Sequence, residues 1–291
     1  MSDCTDKAGW GASKQVKQYL ELVGSCTKIE VGDAEIAYHQ FGAGPPLVLL
    51  MGFLGTMPGW TPGWLSELAQ SFRVTIYDHP GIGKSDYKSK TKLSVDVLAD
   101  TAVGLIHNLG LTRPAILGWS MGADTSLVIG IRHGDAVGKI VAVSPNPGGD
   151  ENVTPDKKIE KKLNSMFMSA KDFVELMYTK GQKKAKNAYI DWDKDVNKSI
   201  KSEKVKLGPA SAYDKVEKEW FKGPGIFSQL SQIRNEVLLV TGADDIITPP
   251  QNSRNLHQQI PNSQLLEVPD AGHAVLFQGD GSIPQIRSFL S

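Results

Sequence analysis

Six short runs of mostly apolar residues recur along the chain: Leu47–Met51, Arg73–Tyr77, Ala115–Trp119, Ile140–Val143, Glu236–Thr241 and Gln264–Val268. Runs this short, without polar alternation, fit strands buried on both faces, and such strands belong to parallel sheets. Between and after them, Ser94–Leu109, Met121–Arg132, Pro250–Gln259 and Ile283–Leu290 place apolar residues at helical spacing. Strands alternating with helices require right-handed crossovers, which gives an α/β fold with a mostly parallel sheet flanked by helices. Ahead of this pattern, Thr27–Val31 and Glu35–Phe41 flank Gly32-Asp33 and read as an antiparallel hairpin at the sheet edge. Residues 1–26 form an N-terminal extension. In it Val16, Tyr19, Leu20 and Val23 line one face of a short helix capped by Ser13, expected to pack on its own domain.

The rhythm breaks at residues 150–225. This stretch holds 17 lysines, no arginine and 13 acidic residues, a net +4 that leaves −4 on the rest of a chain whose total is zero. It has no buried-strand run, and Ile159–Met168 and Lys171–Tyr178 look helical. It is expected to be a helical cap inserted into a core made of 27–149 and 226–291. Its lysines read as a solvated face. The balanced total charge excludes nucleic acid as the main partner. Phe41–Ser66 lacks charged residues but contains ten Gly and Pro, so it is read as core and turns rather than a membrane span. The first residues carry Asp3, Asp6 and Lys7 and do not resemble a secretory signal. Cys4 and Cys26 make neither a disulfide framework nor a metal site, which points to a reducing compartment and a cytoplasmic location. Nothing in the sequence specifies an oligomeric state.

Gly118-Trp119-Ser120-Met121-Gly122 joins a buried run to a helix and matches G-x-S-x-G. A serine on so tight a strand–turn–helix elbow takes strained backbone angles, and the flanking glycines remove side chains that would clash. Its hydroxyl emerges at the carboxyl edge of the sheet, where open α/β folds place their sites. A serine needs a base. Of six histidines, His273 follows the last strand run in Ala271-Gly272-His273. His107 and His133 belong to helices and His39 to the hairpin, while His79 follows a strand and could line the pocket. The base needs an acid, and either Asp244 or Asp245, after Glu236–Thr241, could serve. Asp124, four residues beyond Ser120 on the helix, points away from the elbow. Oxyanion donors would be the backbone N–H of Met121 and one from Met51–Gly55, Phe53 first and Leu54 second.

The order Ser120, Asp245, His273 with this elbow resembles the α/β-hydrolase superfamily, from about Thr27 onward, near its serine esterase and haloperoxidase-like branch. Asp78-His79-Pro80-Gly81-Ile82-Gly83-Lys84-Ser85 is similar to the family's D-x-x-G-x-G-x-S turn. Gly242-x-x-Asp245-x-x-x-Pro249 is similar to its acid loop, which selects Asp245 over Asp244, and Gly272-His273 to its terminal G-H. The family often has His-Gly before the oxyanion loop, where this chain has Met51-Gly52. The resemblance implies a serine hydrolase acting on a small carboxylic ester, thioester or lactone through an acyl-enzyme. It implies no metal or organic cofactor. A serine at the elbow argues against the haloalkane dehalogenase and epoxide hydrolase branches, which carry aspartate there. A C–C bond hydrolase or an acyltransferase would use the same triad, and a ligand-binding receptor could be built on the same scaffold. The many apolar residues of the insertion, Met166, Phe167, Phe173, Tyr178 and Tyr189 among them, suggest an apolar small-molecule substrate.

Overall fold

The computed structural model describes residues 2–7, 9, 11–88, 90–163, 165, 168–200, 207–278 and 282–291. Its centre is one sheet of ten strands. In chain order they are β1 (Ser2–Asp3), β2 (Cys26–Val31), β3 (Ala34–Phe41), β4 (Pro46–Leu50), β5 (Arg73–Tyr77), β6 (Asp86–Tyr87), β7 (Ala115–Trp119), β8 (Ile140–Val143), β9 (Val237–Gly242) and β10 (Ser263–Val268). The spatial order is β1-β2-β3-β5-β4-β7-β8-β9-β10, with β6 paired to β3. From β5 to β10 every pairing is parallel, whereas β1, β2, β3 and β6 run antiparallel at one side.

The parallel strands are apolar because both faces are covered. Leu47, Val48, Leu49 and Leu50 of β4 are wholly buried, as are Ile140–Val143 of β8. Helices α1 (Lys14–Val23), α2 (Pro62–Ala69) and α10 (Ile283–Leu290) contribute to one apolar layer, and α3 (Val95–Asn108), α4 (Met121–Arg132) and α9 (Gln251–Gln259) to the other. Ser13 caps α1 by accepting from Val16 N, and Val16, Tyr19 and Val23 are buried, so this helix packs on its own chain. Between β8 and β9 lie α5 (Lys157–Leu163), α6 (Ala170–Met177), α7 (Lys183–Ser199) and α8 (Leu207–Lys222).

Several expectations shift. The strand read at Glu236–Thr241 runs one residue later, because Gly242 pairs with Val268 while the charged Glu236 stays outside. The helix read at Ile159–Met168 spans Lys157–Leu163. It starts earlier because the Asp156 carboxylate accepts from Lys158 N at 2.8 Å. Met166 and Phe167 lie outside the described residues. The two-residue strands β1 and β6 are too short to leave a periodic signal. His39 sits on β3, which has neighbours on both sides, so it is not on an edge strand.

The cysteine reading needs the larger correction. Cys4 and Cys26 are joined by a disulfide, with Cα atoms 4.9 Å apart. The pairing of β1 with β2 places them opposite each other, and Cys4 N donates to Cys26 O at 3.1 Å. Asp6 then forms an ion pair with Lys84, whose Nζ also donates to Cys4 O at 2.9 Å. Only two cysteines were needed, since the fold supplies the proximity that spacing does not reveal. Among the described residues no helix is long and apolar enough to cross a membrane.

The bond closes a loop with a sequence separation of 22 residues. Chain-entropy arithmetic for such a loop gives about 3 kcal/mol of stabilisation. Thermal unfolding with and without reductant is expected to show the oxidised protein melting about 6 °C higher, and a Cys4→Ser/Cys26→Ser double variant to melt at the lower temperature in both conditions.

Candidate active site

Parallel pairing aligns the carboxyl ends of β4, β7, β8 and β9. Leu50 is opposite Gly118, Trp119 opposite Val143, and Val143 opposite Val240. The loops after these strands therefore meet along one edge. Ser120 lies between β7 and α4 with φ +56° and ψ −124°. Its N–H donates to Val143 O at 2.8 Å, and its carbonyl accepts from Ala123 N at 2.7 Å as the helix begins. The two glycines are required by contact. A Cβ on Gly118 would lie 2.0 Å from Gly122 O, and one on Gly122 would lie 2.1 Å from Leu50 O. Ser120 itself is half-buried between the buried Trp119 and Met121.

The acid and base arrive from β9 and β10. His273 Nδ1 bonds Asp245 Oδ2 at 2.8 Å, with both side chains withdrawn from solvent. The other oxygen, Oδ1, accepts from Ile247 N and Thr248 N, each at 2.9 Å. Asp245 is thus fixed by three donors, whereas Asp244 is exposed. The loop closes tightly, since a Cβ on Gly242 would lie 2.3 Å from Ala271 O. Trp119, one residue before the serine, donates its indole N–H to His273 O at 3.0 Å, with the rings 5.9 Å apart. That bond brings the histidine loop to the elbow. Among the described residues Ser120 Oγ makes no direct hydrogen bond to His273. Such nucleophile–base contacts are often long until substrate seats.

The loop after β4 lies against the serine. A Cβ on Gly52 would be 3.2 Å from Ser120 Cβ and 3.9 Å from its Oγ. Phe53 follows, and Leu54 has φ +54°. His79 holds this loop by donating from Nε2 to Met51 O at 2.9 Å, so it stands behind the loop rather than in a pocket. Burial lowers its pKa to about 4, keeping it neutral. Asp78 joins the same scaffold. Its two oxygens accept from Met57 N at 2.8 Å and Lys84 N at 2.9 Å, while Ser85 Oγ donates to Asp78 O at 2.7 Å. A Cβ on Gly83 would fall 2.2 Å from the Asp78 carboxylate, which explains glycine there. Burial raises Asp78 to about 6 despite those donors. Sequence reasoning found this turn as a motif but not its task, which is to brace the loop after β4.

The remaining histidines act elsewhere. His39 is buried and donates to Ser25 O, and His133 pairs with Asp100. His107 ends α3, and His257 bonds Ser263 on the far side of α9. Asp124 is directed to the loop after β8, where it accepts from Asn146 N at 2.8 Å and Asn146 Nδ2 at 3.1 Å. Burial pushes its pKa well up. The described lysines of the insertion are exposed except Lys186, which pairs with Glu175. Among the described residues no group of three or more His, Cys, Asp or Glu could hold a metal ion.

A family model described as the alpha/beta hydrolase fold matches residues 45–280. A hydrolase of 2-hydroxy-6-oxononadienedioate and 2-hydroxy-6-oxononatrienedioate from Pseudomonas putida is 27% identical over 255 residues, covering 83% of this chain and 86% of that protein. A pimeloyl-acyl-carrier-protein methyl ester esterase from Nitrosomonas europaea is 25% identical over 252 residues, covering 83% and 93%. Among solved structures, an alpha/beta hydrolase fold protein from Chitinophaga pinensis superposes with a TM-score of 0.80 at 23% identity, over 91% of this chain and 97% of that one. With the family model spanning most of its length and the same architecture in its structural neighbours, the chain belongs to the alpha/beta hydrolase family and is a hydrolase of that fold.

Proposed function

We propose that this protein is a serine hydrolase that cleaves a small carboxylic ester, thioester or lactone through an acyl-enzyme. The observation that carries the reading is the buried Asp245–His273 pair, tied through Trp119 to an elbow serine with positive φ. In this mechanism His273 Nε2 accepts the Ser120 hydroxyl proton as Oγ bonds to the substrate carbonyl carbon. The carbonyl π electrons move onto oxygen, and the N–H groups of Phe53 and Met121 hold that oxyanion. Collapse breaks the bond to the leaving group, which takes the proton from His273. Water then gives His273 a proton as it attacks the acyl carbon, and collapse breaks the bond to Oγ, which takes that proton back from His273 to release the acid and free Ser120. Asp245 fixes the imidazole tautomer and stabilises the imidazolium.

In the same reading residues 150–225 act as a cap over a core of 27–149 and 226–291. The relative from Pseudomonas putida favours C–C bond hydrolysis as the second reading, and a β-diketone offered beside simple esters separates the two. An acceptor alcohol separates out an acyltransferase. The cytoplasmic reading treats the cysteines as unpaired, whereas the Cys4–Cys26 bond favours an oxidising compartment. Cell fractionation decides between them.

A fluorophosphonate is expected to label Ser120 at one equivalent per chain. Ser120→Ala is expected to abolish labelling and lower turnover by about 10⁶-fold. Full labelling of that variant would reject the nucleophile.

Asp245→Asn is expected to reduce turnover by about a thousandfold or more with the fold retained, because the tautomer is lost. The exposed Asp244 carries no such task, and Asp244→Asn is expected to stay near wild type. A reversed ranking in steady-state assays would move the acid by one residue.

An aromatic cluster reaches His273 through Trp119. Phe277 lies 5.3 Å from Trp119 and 5.5 Å from Tyr189 between ring centroids, and Trp60 lies 6.3 Å from Trp119. This supports a preference for apolar acyl groups. Each added methylene is expected to contribute about 0.8 kcal/mol to kcat/KM until the pocket fills. An anionic monoester series that outperformed the neutral one, with an advantage fading at high salt, would reverse this reading.

A further inference from the structure

The inward stripe of α8 is Tyr213, Val216, Glu217 and Trp220, spaced i, i+3, i+4 and i+7. Two of these residues pin the helix to the core. Tyr213 donates its hydroxyl to Pro80 O at 3.0 Å, in the turn after β5. Trp220 donates its indole N–H to Asn146 Oδ1 at 2.7 Å, in the loop after β8. The sheet runs β5-β4-β7-β8 across this span, so the helix crosses the carboxyl ends of β4 and β7. Those two strands lead into Gly52–Phe53 and Ser120. Seven residues of helix cover about 10.5 Å and three strand spacings about 14 Å, so the bridge fits with its side chains making up the difference.

Glu217 falls between the two anchors and beside the buried Val216. It is half-buried, and among the described residues its carboxylate has no hydrogen bond or ion pair. It is near enough for His273 to act on its charge, and for its own charge to act on Asp124. Burial, with Asp214 next to it, raises its pKa to about 7, against the opposing influence of His273 and Lys218. A carboxylate taken from water without a donor is costly. A group supplied by the substrate would offset that cost.

We propose that Glu217 is a specificity-determining residue that pairs with a protonated amine on the substrate whose carbonyl is held at Ser120. This rests on the ester-hydrolase reading of Ser120, His273 and Asp245. An ammonium is favoured over a neutral donor because charge-assisted bonds are about twice as strong. Of the lysines of the insertion, Lys218 is the one whose charge reaches Glu217, and as it is exposed its pull on anions is screened by solvent. The substrate class becomes an apolar ester with one cationic end.

The test uses two esters of matched shape, 2-(dimethylamino)ethyl butyrate and 3-methylbutyl butyrate. Wild type is expected to prefer the charged ester in kcat/KM, with a preference that shrinks as salt is added. Glu217→Gln is expected to lower the charged-to-neutral ratio about tenfold or more, leaving the neutral ester within about threefold. A ratio unchanged within about twofold, or insensitive to salt in the wild type, overturns the assignment. Loss on both esters alike overturns it too, because a purely structural role would act in that way. Affinity for the two free alcohols, by NMR titration of wild type and Glu217→Gln, reads the same preference without turnover. A Glu217-dependent preference for the amino alcohol without ester cleavage would reject the ester reading and keep Glu217. Equal affinities would reject Glu217 and leave the ester reading standing.

Discussion

The whole carboxyl edge depends on how closely the elbow approaches β4. Gly122 touches the carbonyl of Leu50, and Gly118 touches that of Gly122, so strand, turn and helix are locked without room for a methyl group. A residue other than glycine at positive φ costs about 1–3 kcal/mol, and the structure holds three of them side by side. Leu54, Ser120 and Ser144 have φ of 54°, 56° and 52°, in the loops after β4, β7 and β8, which neighbour one another in the sheet. Strain of this kind persists where the surroundings over-determine the backbone. Here the fully buried strands and the Ser120 N–H to Val143 bond do so.

Polar scaffolding carries the geometry outward from that edge. Asp78 gathers the loop after β4 and the turn after β5, and His79 adds a bond to Met51 O. On the other side Asp124 holds Asn146, and Asn146 receives Trp220 from the insertion. The insertion is therefore tied to the elbow helix through one asparagine, a chain in which each buried polar atom has a named donor or acceptor.

What could be read from the sequence followed from local rules. The runs Leu47–Met51, Arg73–Tyr77, Ala115–Trp119 and Ile140–Val143 fall on strands within a residue because a two-sided burial leaves a continuous apolar signature. The elbow was legible because steric need for Gly118 and Gly122 is written into the pattern. The pairing of Cys4 with Cys26 was not, since it depends on β1 joining β2, and two residues of strand carry no period. Glu217 was equally hidden. On its own helix it is one acid among many charges, and only the anchoring of Tyr213 and Trp220 gives it a place. His79 looked like a pocket residue because its strand-end position is visible, while its partner, a backbone carbonyl, is not.

The covalent link between Cys4 and Cys26 changes what a cut in the chain would mean. The segment from Thr5 to Ser25 includes α1 and its approach, and it forms a closed ring with the bond. A protease that nicks this ring leaves both pieces attached, so the molecule keeps its N-terminal strand and its apparent mass until it is reduced. A single cut between Cys4 and Cys26 therefore does not release the beginning of the chain, and the part that meets Lys84 beside the Asp78 scaffold stays tethered.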